Sequence, residues 1–322
     1  MDGLPTESAK RGKERFMISH WQGQERLSLW LEKPNVACAW LAMLAMLAIG
    51  AFLAVQECHW RSRTRWLFGV VLLCIVAFIF LLAGFTYSRG GYVAIFTGCM
   101  MAGVLQGRRC RGCWPRLRPL MPGFLFIGIL TGMVPAGAVR LSAVGDTGDL
   151  SIQNRLAVWR GAAMLTHEYP LHGVGERPGR LYTVFYQPLG KNEFYNGMVG
   201  DFQTIASSYG LPLATGLLAL LLSTVFWALA TWWKRNEVLL LWMSAAIGVY
   251  LLAGVFTSCY VAPTVRWTLF VITVVTCGWA WRKGSAPRCF LRPCMAGLGT
   301  ALVMAFLMWG VGGYSRDVSP IV

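Results

Sequence analysis

The chain has 322 residues, of which 56% are hydrophobic and only 13% charged, with a mean hydropathy of +0.52 and a formal net charge of +15. That balance excludes a soluble globular protein, whose surface needs far more charge to cover it. The basic excess falls into short clusters between apolar runs, so it reports membrane topology and not nucleic-acid binding.

Residues 1–34 form a polar segment with six basic residues between Lys10 and Lys33. No cleavable leader is expected, because the first apolar run begins too late. Eight runs then approach the roughly 20 residues that a bilayer requires. They are 36–55, 66–84, 90–106, 120–139, 211–231, 238–256, 265–281 and 296–311. Each is predicted to be helical, since lipid cannot satisfy open backbone groups. The expected fold is therefore an all-α polytopic membrane protein with about eight transmembrane helices and one large external loop. Four helices are expected over 35–139, the loop over 140–210, four more helices over 211–312, and a short tail over 313–322. The second and third runs are separated only by Thr86, Tyr87, Ser88 and Arg89. A turn is expected there, with a re-entrant break as the alternative.

The loops orient the bundle. Arg61, Arg63 and Arg65 follow the first run, and Arg108, Arg109, Arg111, Arg116 and Arg118 follow the third. Lys234 and Arg235 follow the fifth, and Arg282, Lys283, Arg288 and Arg292 follow the seventh. All four groups fall on one side, which the positive-inside rule makes cytoplasmic. The long loop then faces the periplasm of a bacterial inner membrane. The basic N-terminal segment lands on that outer side too, against the rule.

None of the ten cysteines lies in the external loop. Cys110, Cys113, Cys289 and Cys294 flank expected cytoplasmic loops, where disulfides are not favoured. Four thiols on one side are a conceivable zinc set. The plainer reading is small hydrophobes in and around apolar segments, and neither metal nor cofactor is predicted.

The external interval from Arg140 to Asp201 carries six basic and six acidic residues and two of the four histidines. Asn154 is a good cap for a helix over about 155–166, and Tyr169-Pro170 ends it. On that helix Arg160 and His167 are seven residues apart and share a face, whereas Arg155 points elsewhere. Leu156, Trp159 and Ala163 read as an apolar stripe against the bundle or membrane surface. His172-Gly173-Val174-Gly175 follows, with Arg177 and Arg180 beyond it. Arginine suits phosphate because its fork donates two parallel hydrogen bonds and stays charged. Arg89, between two apolar runs, needs a partner or water access. The pattern suggests an anion site at the outer boundary, although snorkelling or ordinary surface pairing accounts for the same arginines. His167 and His172 are the candidate general bases, and solvated loop positions are the alternative for both.

Three segments carry a family resemblance. Phe85–Ala94 reads FTYSRGGYVA, Asn154–Gly175 reads NRLAVWRGAAMLTHEYPLHGVG, and Asp201–Leu218 reads DFQTIASSYGLPLATGLL. Together with EKPNVACAWLAM at Glu32–Met43, they resemble the O-antigen ligase and polymerase superfamily of bacterial envelope glycan enzymes. The resemblance implies metal-independent glycosyl transfer from an undecaprenyl-diphosphate-linked glycan to a lipid A core sugar or another glycan acceptor, within membrane lipids. It implies that Arg89, Arg155 and Arg160 contact the diphosphate, with Arg177 and Arg180 as looser matches. Members of the superfamily commonly carry a histidine–asparagine pair about eleven residues before the glycine matched by Gly210. Here Val199-Gly200 stands at that position, followed by Asp201. His167, His172 or Asp201 is then left as the candidate base. A polymerase, a non-catalytic component of an envelope assembly system and a lipid-linked substrate transporter remain the alternative functions. Oligomeric state is not legible.

Overall fold

A computed structural model describes residues 18–21, 24–31, 33–57, 62–109, 150–175 and 199–283. Six helices among them are long and apolar enough to cross a membrane. These are α1 (Pro34–Glu57), α2 (Ser62–Phe85), α3 (Arg89–Arg109), α6 (Leu211–Arg235), α7 (Val238–Phe256) and α8 (Pro263–Arg282). Two further helices, α4 (Leu150–Glu168) and α5 (Asp201–Tyr209), lie between α3 and α6. The membrane-spanning part is therefore all-α, as its composition demands. The expected spans at 120–139 and 296–311, and the four loop cysteines, lie outside the described residues.

One element was not expected. Within the N-terminal polar segment, strands β1 (Ile18–Trp21) and β2 (Gln24–Leu27) pair antiparallel, with Ile18 opposite Leu27 and Trp21 opposite Gln24. Ile and Trp are strand formers, but two four-residue strands lie below what periodicity can separate from a polar loop.

Helices α1 and α7 form the centre. Small side chains let them approach: Ala37, Ala39, Ala42 and Ala45 of α1 and Ala246 and Ala253 of α7 are all buried. Gly50 of α1 lies directly against Trp242 of α7. In lipid, where no hydrophobic force pulls helices together, this close backbone packing is what holds them. The outer faces of α2, α6 and α8 keep large apolar side chains exposed, among them Trp66, Phe78, Phe226 and Val271.

Contacts between helix ends divide the bundle into two ends. At one, Gly91 of α3 packs on Cys38 of α1, Gly90 lies near Phe256 of α7, and Trp40 Nε1 donates to Thr268 Oγ1 at 2.9 Å. At the other, Gly69 of α2 meets Gln56 of α1, Trp242 Nε1 donates to Gln106 Oε1 at 3.0 Å, and Lys283 pairs with Glu237 at 2.5 Å. Arg63, Arg65, Lys234, Arg235, Arg282 and Lys283 all sit at this second end, as the loop charges require. The α4–α5 unit sits at the first.

The predicted break between the second and third runs is a turn. Tyr87 takes the left-handed conformation, with φ of 49°. The Thr86 hydroxyl donates to the Ala83 carbonyl at 2.7 Å, and Ser88 Oγ accepts the Gly91 amide at 3.2 Å, which caps α3. Tyr92 reaches back across the turn and donates to the Gly84 carbonyl at 2.6 Å.

Candidate functional site

Helix α4 is longer than its sequence suggests. It starts at Leu150, so Asn154 lies inside it and does not cap it. Nothing from Leu150 to Gln153 breaks a helix, and the roughly 1 kcal/mol preference of asparagine for a cap is too small to force an end. The helix stops at Glu168, next to the expected Tyr169-Pro170.

Its buried face also differs from the predicted stripe. Val158, Ala162 and Leu165 are buried and pack with Val174 and Val199, whereas Leu156 and Ala163 are exposed. The reason is the partner: α4 lies against α5 and the segment before it, which the sequence does not reveal. Trp159 fastens the contact by donating from Nε1 to the Val199 carbonyl at 2.7 Å. Val199, at the position where the resembled superfamily has histidine, is thus a packing residue.

After Pro170 the chain folds back onto the end of α5. The Val174 and Gly175 amides donate to the Ser207 and Ser208 carbonyls at 2.8 and 2.9 Å, and the Leu211 amide donates to the Pro170 carbonyl at 2.8 Å. The turn glycines at 173 and 175 and the glycine at 210, widely separated in sequence, therefore belong to one docked unit. Gly173 has φ of +63° and lies against the Ser208–Tyr209 backbone, where a side chain has no room.

Between α4 and α5 an open groove of about 690 Å³ remains. Trp159, Ala163, Thr166 and His167 of α4 wall it, Phe202, Gln203 and Ala206 of α5 floor it, and Pro170 and Leu211 close one side. It is apolar except for Thr166, His167 and Gln203, and it stands at the head of the membrane helix α6.

The predicted site residues divide in this frame. His167 lines the groove. Arg160 is exposed on the same face of α4, about 10 Å away by helical rise. Arg155 is half-buried one turn earlier. His172 is exposed in the docked turn and does not line the groove. Arg89 begins α3 at the same bundle end, while Arg177 and Arg180 lie outside the described residues.

Asp201 faces inward and does not line the groove; it is 6% exposed. Its Oδ1 accepts the Tyr260 amide at 2.7 Å, and its Oδ2 lies against Gly254 of α7, where a Cβ would come within 2.8 Å. Oδ2 has no hydrogen-bond partner among the described residues. Burial pushes this carboxyl up from its ordinary 3.8 to about 7, offset in part by the Tyr260 amide, the Tyr250 hydroxyl and the Cys259 amide.

That shift has a definite sign. The folded protein holds a proton that the unfolded chain releases between pH 3.8 and about 7. The contribution to stability is complete below the unfolded value and is lost as pH rises through about 7. The wild-type melting temperature is expected to fall between pH 5.5 and 8.5, with an upper bound of about 4 kcal/mol at ~1.4 kcal/mol per pKa unit. Asp201→Asn, a neutral isostere, is expected to flatten the slope. Parallel melting curves for the two proteins across that range would assign the titration elsewhere.

Sequence reasoning passed over Tyr260 and Arg266. The 257–262 segment joins α7 to α8, and Arg266 lies over the Tyr260 ring at 5.3 Å. The available signal was a lone arginine three residues after Pro263, at the head of an apolar run. Among the described residues no group of three His, Cys, Asp or Glu side chains could hold a metal ion.

Residues 80–214 match the family model described as O-antigen ligase. No curated protein matches the chain. The matched stretch runs from the end of α2 to the head of α6, and so includes Arg89, all of α4, the docked turn and α5.

Proposed function

We propose, for a chain related over that stretch to the O-antigen ligases of bacterial membranes, that it transfers a glycan from an undecaprenyl-diphosphate carrier to a lipid A core or other envelope acceptor at the groove. A role in O-antigen ligase- or polymerase-type glycan processing follows from the family match; the carrier, the acceptor and the periplasmic orientation are our reading. The observation that carries it is the gathering of three distant segments at one bundle end. The head of α3 with Arg89, helix α4 with Arg155 and Arg160, and α5 with its docked turn are all joined there through α7.

In this reading an acceptor hydroxyl attacks the anomeric carbon of the donor sugar, and the bond from that carbon to the diphosphate oxygen breaks. The hydroxyl proton passes to His167 in the groove wall. Negative charge grows on the departing diphosphate, and Arg160, Arg155 and Arg89 stabilise it, with Arg177 and Arg180 as further candidates. The apolar groove beside the head of α6 suits a substrate whose carrier stays in the bilayer.

His167→Gln keeps the size and polarity of the side chain and removes the base. Transfer is expected to drop roughly 10²–10⁴-fold with the melting temperature unchanged, because the position is exposed. Retention of the wild-type rate and pH profile would move the base to His172.

A second reading, a non-catalytic assembly component, is favoured by Val199, which packs apolar side chains where the resembled superfamily has histidine. One assay separates the two. Protein reconstituted in lipid is given labelled undecaprenyl-diphosphate oligosaccharide and candidate acceptors, and release of the lipid diphosphate is followed. Acceptor-dependent release supports transfer, and product length distinguishes ligation from polymerisation. No release with acceptors that serve an active ligase supports the non-catalytic reading.

A further inference from the structure

We infer that Asp201 is a positioning residue whose carboxylate, through the Tyr260 amide, holds the 257–262 loop so that Arg266 serves as an additional cation for the donor diphosphate. The inference rests on the glycan-transfer reading for its ligand, and on geometry alone for the clamp.

Among the described residues, Asp201 is the sole charged side chain in the buried set. Burying a carboxylate without full pairing costs several kcal/mol in general, so packing alone does not account for it. What it holds is a loop from the far side of the bundle. Tyr260 donates its amide to Oδ1 at 2.7 Å. Beside that bond, Ser258 Oγ accepts the Gly200 amide at 3.2 Å and shares a hydrogen bond with Thr204 Oγ1 at 3.0 Å. The Tyr260 side chain packs on the cluster of Ile205, Ala206 and Ala214, which joins α5 to α6. Three ties thus fasten the 257–262 loop to the helix that floors the groove.

Arg266 completes the chain of contacts. It sits in the first turn of α8, its amide bonded to the Ala262 carbonyl at 3.2 Å, and its guanidinium lies over Tyr260. An arginine inside an apolar span marks a functional position. Held over a ring, the guanidinium keeps N–H donors for phosphate oxygens. The titratable and charged groups facing this assembly are Tyr250 from α7, Cys259 and Tyr260 from the loop, and Arg266 from α8. None of these lies within the stretch matched by the family model.

The test pairs hydrogen exchange with a double-mutant cycle on the full chain in lipid nanodiscs. Asparagine keeps an acceptor at Oδ1, whereas alanine removes it. Asp201→Ala is expected to raise amide exchange across 257–262, and Asp201→Asn to leave it near wild type. With labelled undecaprenyl diphosphate as probe, Arg266→Gln and Asp201→Ala are each expected to weaken binding about tenfold, the loss of one charge-assisted contact. The double variant is expected to bind no more weakly than either single one, because both act through one cation. Asp201→Ser reads the same cycle if the alanine variant does not fold. Unchanged loop exchange in Asp201→Ala overturns the clamp. Normal binding by Arg266→Gln, or multiplied losses in the double variant, overturns the link to Arg266. A wild-type protein that ignores the probe while Asp201→Ala still opens the loop overturns the transfer reading and leaves the clamp standing.

Discussion

Replacing Arg160 with alanine is expected to reduce acceptor-dependent release of the lipid diphosphate by about 10²–10³-fold, the usual loss when one donor to developing negative charge is removed. The same variant is expected to melt within about 0.5 kcal/mol of wild type, since Arg160 is exposed on α4 and surface substitutions rarely cost more. The two measurements together make the prediction sharp. A large rate loss with unchanged melting places Arg160 at the departing diphosphate. A full rate removes it from the site and leaves Arg89 and Arg155 as the cations to examine. Lysine at this position is expected to restore only part of the rate, because an ammonium cannot reproduce the planar two-bond fork.

The largest structural effect is expected from Gly210→Ala. Gly210 has φ of 92° and ψ of 163°, a region open essentially only to glycine, where another residue costs about 1–3 kcal/mol in strain. Space adds to this. A Cβ there would collide with the Leu171 carbonyl oxygen and come within 2.5 Å of the Leu171 carbonyl carbon and 3.0 Å of the His172 amide nitrogen. These are backbone atoms, so no side-chain rotation relieves the clash. The Leu211–Pro170 hydrogen bond and the docking of the 173–175 turn would have to give way. A combined loss above about 4 kcal/mol is expected, which falls in the exceptional class for a single substitution. Thermal melting in detergent and the transfer assay should fall together. Gly216→Ala is the matched control: nothing lies within 4 Å of its Cβ position, and alanine favours a helix interior by about 1 kcal/mol. Equal stability of the two variants would mean that the docked turn does not hold the groove.

The sequence by itself determined the solvent of this protein and the course of the chain through it. Apolar runs of bilayer length have one backbone solution, and the arginines between them can lie on only one side without violating the charge rule. The turn at Thr86–Arg89 was legible because forty apolar residues cannot form a single span. The end of α4 was legible because a proline follows it. Arg160 and His167 could be placed on one face from their spacing alone. Contacts between segments far apart in the chain were not legible. Periodicity pointed to a stripe at Leu156, Trp159 and Ala163, yet the face that α4 buries depends on where α5 lies. The matched glycines in the docked turn and at Gly210 carried no hint that they meet, since their left-handed conformations serve a contact between backbones and not a local turn alone. Asp201 looked like an exposed base beside a missing histidine. Only the packing of α5 on Gly254 and on the 257–262 loop turned it inward, because one carboxylate can reach solvent or a buried amide but not both.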